Sequence, residues 1–114
     1  MEIDRDTFEE LVADAMDLVP EPFASALDEV AVVVQDRAPA EMGSLYGLYQ
    51  GVPLTEGGPF SGQMPPHITI YMHPLVDHFA ASGQVVEQVR ITVLHELGHH
   101  LGMDEHDLER LGYA

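Results

Sequence analysis

The chain of 114 residues contains no cysteine, and only four basic residues stand against twenty acidic ones. Without cysteine there is no disulfide, no thiolate metal site and no cysteine nucleophile, and the redox compartment is left undetermined. The formal charge of −16 repels phosphate backbones and argues against a nucleic-acid partner. Its plain meaning is a well-solvated surface that attracts divalent cations and basic peptides weakly. No stretch approaches the roughly eighteen apolar residues that span a bilayer, so no membrane partner is expected. The start, MEIDRDTFEELV, has no basic flank before a long apolar run, so a secretory leader is not expected and the cytoplasm is the default location. Internal repeats, low-complexity runs and inter-domain linkers are missing too. With an apolar fraction of 46%, residues 1–114 are expected to share one core and form one domain.

The pattern along the chain is mixed. Asp6 or Thr7 can cap a first helix whose apolar positions Phe8, Leu11, Val12, Ala15 and Met16 recur at helical spacing, with Pro20 closing it. Pro20-Glu21-Pro22 opens a short second helix from Phe23 to about Leu27. VAVVVQD, residues 30–36, is β-branched and uniformly apolar at its start, as in a buried strand. LYGLYQG, residues 45–51, reads as a second strand or an extended loop, and the Gly- and Pro-rich residues 52–66 as a loop. In HITIYMHP, Ile68, Ile70 and Met72 point one way and Thr69 and Tyr71 the other, the period of a half-exposed strand stopped by Pro74. HPLVDHFAASG is ambiguous, a turn with a short helical piece ended by Gly83 being one reading. A strong helix then runs from Gln84 to Leu101, ended by Gly102 at a left-handed cap position, and a last short helix starts at Asp104. These elements predict an α+β fold with a small mixed sheet packed on the long helix.

That long helix carries HELGHHLG, followed by MDEHD. His95 and His99 are four apart and lie one above the other on one face. Val86, Val93, Leu97 and Leu101 fall on nearly the opposite, core-directed face. Gln88 and Thr92 accompany the imidazoles, and Glu96 stands on the flank. Two neutral imidazoles with a carboxylate beside them is the layout that holds zinc in an open cleft. A catalytic zinc takes a third protein ligand, and only fifteen residues follow His99. If the chain turns at Gly102, Glu105 can swing back to the metal. Asp104, His106 and Asp107 are alternatives at neighbouring positions. His67, His73 and His78 are remote and read as ordinary surface or turn histidines.

HELGHHLGMDEHDLERLGY, with LYGLYQGVPL and ITIYMHP upstream, resembles the small single-domain zincin-like metallopeptidases of bacteria over most of the chain after about Val30. Their motif, His-Glu-x-x-His-x-x-Gly-x-x-Asp, ends on an aspartate ligand and defines the Asp-zincin type. His95, Glu96, His99 and Gly102 match it, whereas the last position is Glu105, with Asp104 one place earlier. The resemblance implies a minimal zincin-like fold, a zinc cofactor and hydrolysis of a peptide bond with Glu96 as general base. Tyr113 stands where it can support the site by packing or a hydrogen bond. The substrate, a small peptide or disordered protein segment, is expected along an edge strand formed by Ile68, Thr69, Ile70 and Tyr71, with Tyr71 or Tyr113 as a donor to the oxyanion.

Two other readings compete. An eroded zincin-derived metal-binding or protein-interaction module is favoured by the imperfect final position and opposed by an intact Glu96. A three-histidine RNA-processing hydrolase using His95, His99 and His106 is opposed by a one-residue offset and by the acidic charge. A homodimer is compatible with so small a chain, but no interface is legible.

Overall fold

A computed structural model describes residues 1–51 and 65–113. The loop expected over residues 52–66 therefore lies, except for its last two residues, outside the described residues. The elements in chain order are helix α1 (Arg5–Met16), helix α2 (Phe23–Leu27), strand β1 (Ala31–Gln35), a 3-10 turn (Ala40–Met42), strand β2 (Gly47–Gln50), strand β3 (His67–Tyr71), and helices α3 (Met72–His78), α4 (Ser82–His100) and α5 (Glu105–Leu111). Among the described residues no helix is long and apolar enough to cross a membrane.

The cap of α1 is Asp4 rather than Asp6 or Thr7: its carboxylate accepts the Thr7 N–H at 2.8 Å. The acid thereby satisfies an otherwise orphaned amide at the helix start. The ambiguous segment after β3 is helical, and Pro74 lies inside the first turn of α3, where a missing N–H leaves no helical bond unmade. α4 ends at a turn in which Gly102 takes φ 87°, the left-handed conformation expected of it.

The sheet is mixed, in the order β1-β3-β2, with β1 parallel and β2 antiparallel to β3. This corrects two expectations. Ile68–Tyr71 belong to the middle strand, not an edge: Ile68, Thr69, Ile70 and Tyr71 are all buried. Both their sides are taken, Val32 and Val34 standing opposite Ile68 and Ile70 on one flank and Tyr49 and Gly47 on the other. Conversely, the apolar run 30–36 is an edge strand, in which Ala31, Val33 and Gln35 are exposed. Arg5 covers part of that edge through a guanidinium bond to the Val34 carbonyl, a charged side chain blunting an open strand.

The core lies between the sheet and α4, with α1 and α2 closing it. Phe8, Val12 and Ala15 from α1, Phe23 and Ala26 from α2, and Ile68 and Ile70 from β3 meet Val85, Val89, Val93, Leu94 and Leu97 of α4. The buried stripe of α4 thus starts at Val85 rather than Val86, which is half-buried along with Leu101. Helices and sheet press on α4 from more than one direction, so its buried surface is wider than a single amphipathic stripe. The result is the α+β arrangement the sequence pattern predicts, a small mixed sheet packed on a long helix.

Candidate metal centre

One helical turn separates His95 from His99, and their rings meet edge to face with Nε2 atoms 3.3 Å apart. The Gly102 turn brings α5 back across this face. Glu105, its first residue, places Oε1 3.3 Å from His95 Nε2 and 3.0 Å from His99 Nε2. Three donor atoms therefore converge at nearly equal separations. Zinc bonds of about 2.0–2.1 Å in tetrahedral directions require ligand atoms roughly 3.3–3.5 Å apart, so this trio matches the donor set of such an ion.

The state of His95 is set from behind. Its Nδ1 lies 2.9 Å from the Tyr113 carbonyl oxygen. A carbonyl only accepts, so Nδ1 carries the proton and Nε2 of the neutral ring presents its lone pair to the cluster. With Nδ1 on the carbonyl, Nε2 is the nitrogen turned toward Glu105 Oε1 and His99 Nε2, where a metal ion would be held. Tyr113 is held for this task by its own N–H on the Leu108 carbonyl, 2.9 Å, and by its ring packed edge-on against Phe23 at 5.6 Å. It supports the histidine through its main chain.

Glu96 is the other nearby carboxylate. It clusters with His95 and His99, one ligand atom from each lying within 4.8 Å of the others. Its Oε2 is 3.7 Å from His95 Nε2, farther than Glu105. Its Oε1 accepts the backbone N–H of Tyr49 at 2.8 Å. Burial pushes the Glu96 carboxyl above the ordinary range, partly offset by the Tyr49 N–H and the two imidazoles. The geometry separates two carboxylates into two places: Glu105, mostly exposed, in contact with both nitrogens, and Glu96, mostly buried, anchored to β2 beside them.

Two glycines make this approach possible. A Cβ on Gly98 would lie 2.3 Å from Leu108 Cδ2, so only glycine lets α5 seat Leu108 on α4 and carry Glu105 to the histidines. A Cβ on Gly47 would lie 2.7 Å from Thr92 Cγ2, so glycine also lets β2 lie close against α4. Beside Glu96 an open cleft of about 190 Å3 is lined by Tyr46, Gly47, Gln88, Ile91, Thr92 and Tyr113. Gln88 donates to the Thr92 hydroxyl across its floor at 3.3 Å.

The remaining expected residues fall elsewhere. Asp104 caps α5, its carboxylate taking the Asp107 N–H at 2.8 Å, while Asp107 accepts the Asp104 N–H at 3.2 Å. Both carboxylates serve the helix start. His106 is exposed and outside the cluster. His67 pairs with Gln50, His73 faces Asp36 and His78 meets the Tyr46 hydroxyl, all away from the centre. Tyr71 is buried on the middle strand and does not line the cleft, so of the two tyrosines weighed as oxyanion donors only Tyr113 borders it.

Sequence reasoning missed Tyr49, whose amide partner is 47 residues away, and His100, which it left as one more histidine. His100 is only 2% exposed. Its Nδ1 is 2.9 Å from the Tyr49 hydroxyl and its Nε2 3.3 Å from Glu29 Oε2. Gly98 did carry a signal, since a glycine inside a strong helix usually marks a close packing contact.

No curated protein is significantly similar to the chain. Among solved structures, a conserved hypothetical protein from Thermo thermophilus is 29% identical, with a TM-score of 0.57 covering 87% of this chain and 94% of that one. The family model for zincin-like metallopeptidases matches residues 27–113. The chain belongs to the zincin-like metallopeptidase family.

Proposed function

We propose that the protein is a zinc-dependent hydrolase of peptide bonds, in which His95, His99 and Glu105 hold the metal and Glu96 is the general base. The observation that carries the reading is the convergence of His95 Nε2, His99 Nε2 and Glu105 Oε1 within 3.0–3.3 Å of one another, with Glu96 fixed beside them. When bound, zinc supplies a Lewis acid that eases deprotonation of a water and polarises a carbonyl.

The chain's own residues supply the rest. Tyr49 N–H restrains one oxygen of Glu96, leaving Oε2 on the side of the ligand cluster. From there it can take a proton from the attacking water and return it to the leaving amine. The Tyr113 carbonyl keeps His95 in the liganding tautomer. An extended peptide would lie along β2, the edge strand that borders the cleft. Because the Tyr46 carbonyl pairs with β3 and the Tyr49 N–H turns to Glu96, alternation aims the main-chain groups of Gly47 outward, available to a substrate strand. The cleft has room for one side chain of the substrate, and an acidic one would be repelled by Glu96. Small peptides or disordered protein segments suit so open a site.

The test is isothermal titration of chelator-treated protein with zinc, beside His95→Ala and Glu105→Ala, followed by a peptide-library digest with Glu96→Gln as control. One-to-one binding lost in both ligand variants, with cleavage lost in Glu96→Gln, is the expected result. Zinc uptake scattered over the acidic surface and indifferent to His95 would end the proposal. Specific binding without cleavage of any peptide would instead mark a metal-binding or interaction module.

A further inference from the structure

Glu96 is not held by its own helix. Its main-chain partner is the amide of Tyr49 on β2, and an amide on the outer side of an edge strand is a sound anchor only if that strand is itself fixed. β2 is four residues long. Beyond its pairing with β3, β2 is tied to α4 through Tyr49. The Tyr49 ring turns from β2 onto the end of α4, where its hydroxyl meets His100 Nδ1 at 2.9 Å and the two rings pack edge to face at 5.5 Å. On its far side His100 Nε2 reaches Glu29 Oε2 at 3.3 Å, at the turn between α2 and β1. Glu29 only accepts, so Nε2–H is the donor. In the neutral ring Nδ1 then accepts the Tyr49 O–H.

We infer that Tyr49, locked through His100 to Glu29, is the positioning residue of the site: it sets where β2 stands against α4 and so where its amide holds the Glu96 carboxylate. The inference builds on the proposed role of Glu96 but concerns the placement of its side chain, which can be read without any substrate. The chain Glu29–His100–Tyr49–Glu96 ties together the α2–β1 turn, both ends of the HELGHH segment and the edge strand. His100 is nearly sealed from water with both ring nitrogens engaged, and a half-satisfied buried imidazole would be costly. None of these contacts includes His99 or Glu105. Loss of the clamp therefore loosens the base and leaves the metal ligands in place.

Amide hydrogen exchange on the full chain, read as the ratio of the Tyr49 rate to that of Ile70 on the middle strand, tests this directly. Glu96→Ala is expected to speed Tyr49 exchange about tenfold or more, and Tyr49→Phe and His100→Leu to do the same with Ile70 unchanged. His100→Gln, which can both accept from the tyrosine and donate to Glu29, is expected to stay within about threefold of wild type. Zinc affinity should remain within about threefold in all of these except Glu96→Ala. If peptide hydrolysis is established, kcat should fall at least about tenfold in Tyr49→Phe and His100→Leu with KM little changed, and stay near wild type in His100→Gln. Exchange at Tyr49 that is indifferent to Glu96→Ala, or to both Tyr49→Phe and His100→Leu, overturns the inference. Should Tyr49→Phe lose protection everywhere, the contrast between His100→Leu and His100→Gln decides it: equal rates in those two overturn it, a faster Leu variant supports it. A protein that passes these tests but cleaves no peptide would contradict the hydrolase proposal alone.

Discussion

Glu105 Oε1 stands 3.0 Å from His99 Nε2 although five residues and a helix break separate them. The contact exists because Gly102 turns the chain at φ 87° and Asp104 starts the next helix at once, so that its first residue faces back over α4.

Replacing Glu105 by Gln should lower zinc affinity at least about tenfold, because a charged oxygen donor becomes a neutral amide. Asp104→Ala should instead cost about 1 kcal/mol of stability as a lost helix cap, with a much smaller effect on zinc. His106→Ala should change neither. Parallel titrations and thermal melts of the three variants separate the ligand from its neighbours, and a loss of zinc binding in Asp104→Ala larger than that in Glu105→Gln would reverse the assignment.

Gly98→Ala forces a methyl group against Leu108, with 2.3 Å between the carbon centres. The Leu108 side chain must shift, at a cost of about 1–3 kcal/mol for overpacking, and because it is buried against α4 the expected result is that α5 and Glu105 are displaced with it. Zinc affinity should fall about tenfold or more although every ligand is intact. Gly98→Ala combined with Leu108→Ala should recover part of the affinity, since the colliding atoms are gone.

Removal of Tyr113 and Ala114 takes away the carbonyl that orients His95 and is expected to weaken zinc binding about 10–100-fold. Tyr113→Phe keeps that carbonyl and the ring packed on Phe23. Its zinc affinity should stay close to wild type, as isothermal titration would show.

Glu96→Gln should stabilise the chelator-treated protein at neutral pH. Burial raises the Glu96 carboxyl above its ordinary range, so the folded state holds this proton more tightly than the unfolded chain does. The stability it contributes is complete below the unfolded pKa and is lost as pH rises through the raised folded value. Glutamine has no charge to bury and still offers an acceptor to Tyr49 N–H. The melting temperature of the variant should exceed wild type by a few degrees at about pH 7 and by little at about pH 4, and an equal gap at both would contradict the assignment of the burial effect to Glu96.

Gly47→Ala places a methyl against Thr92 Cγ2 and should narrow the cleft, reducing kcat/KM for peptides about tenfold while leaving zinc affinity unchanged. Thr92→Ser in the same protein removes the nearest clashing carbon and should restore part of the activity. Equal cleavage by wild type and Gly47→Ala would mean that the substrate does not use this cleft.

The local rules of the chain were enough to place α1, α2, α4 and α5, though not α3. Spacing of Phe8, Val12 and Ala15, the prolines around residue 20, and the glycine at 102 act over a few residues, and helices obey interactions of that range. For the same reason His95, His99 and Glu96 could be set on one helix, and Glu105 on the chain that returns to it, directly from the order of residues. The sheet depended on longer reach. An apolar run at 30–36 and an alternating one at 67–72 invite opposite places from those they occupy, because a strand's burial is decided by which strands lie on either side and what covers its faces, and neither is written in the strand itself. Partners far apart in sequence were equally hidden. Tyr49 reaches Glu96 with its backbone and His100 with its hydroxyl, and Tyr113 reaches His95 through a carbonyl that any residue carries. Main-chain contacts leave no side-chain signature, so the candidate ligands His95 and His99 were legible in the order of residues, whereas the choice of Glu105 among its neighbours and the groups that hold and aim the site were fixed only when β2, α4 and the carboxyl-terminal turn packed together.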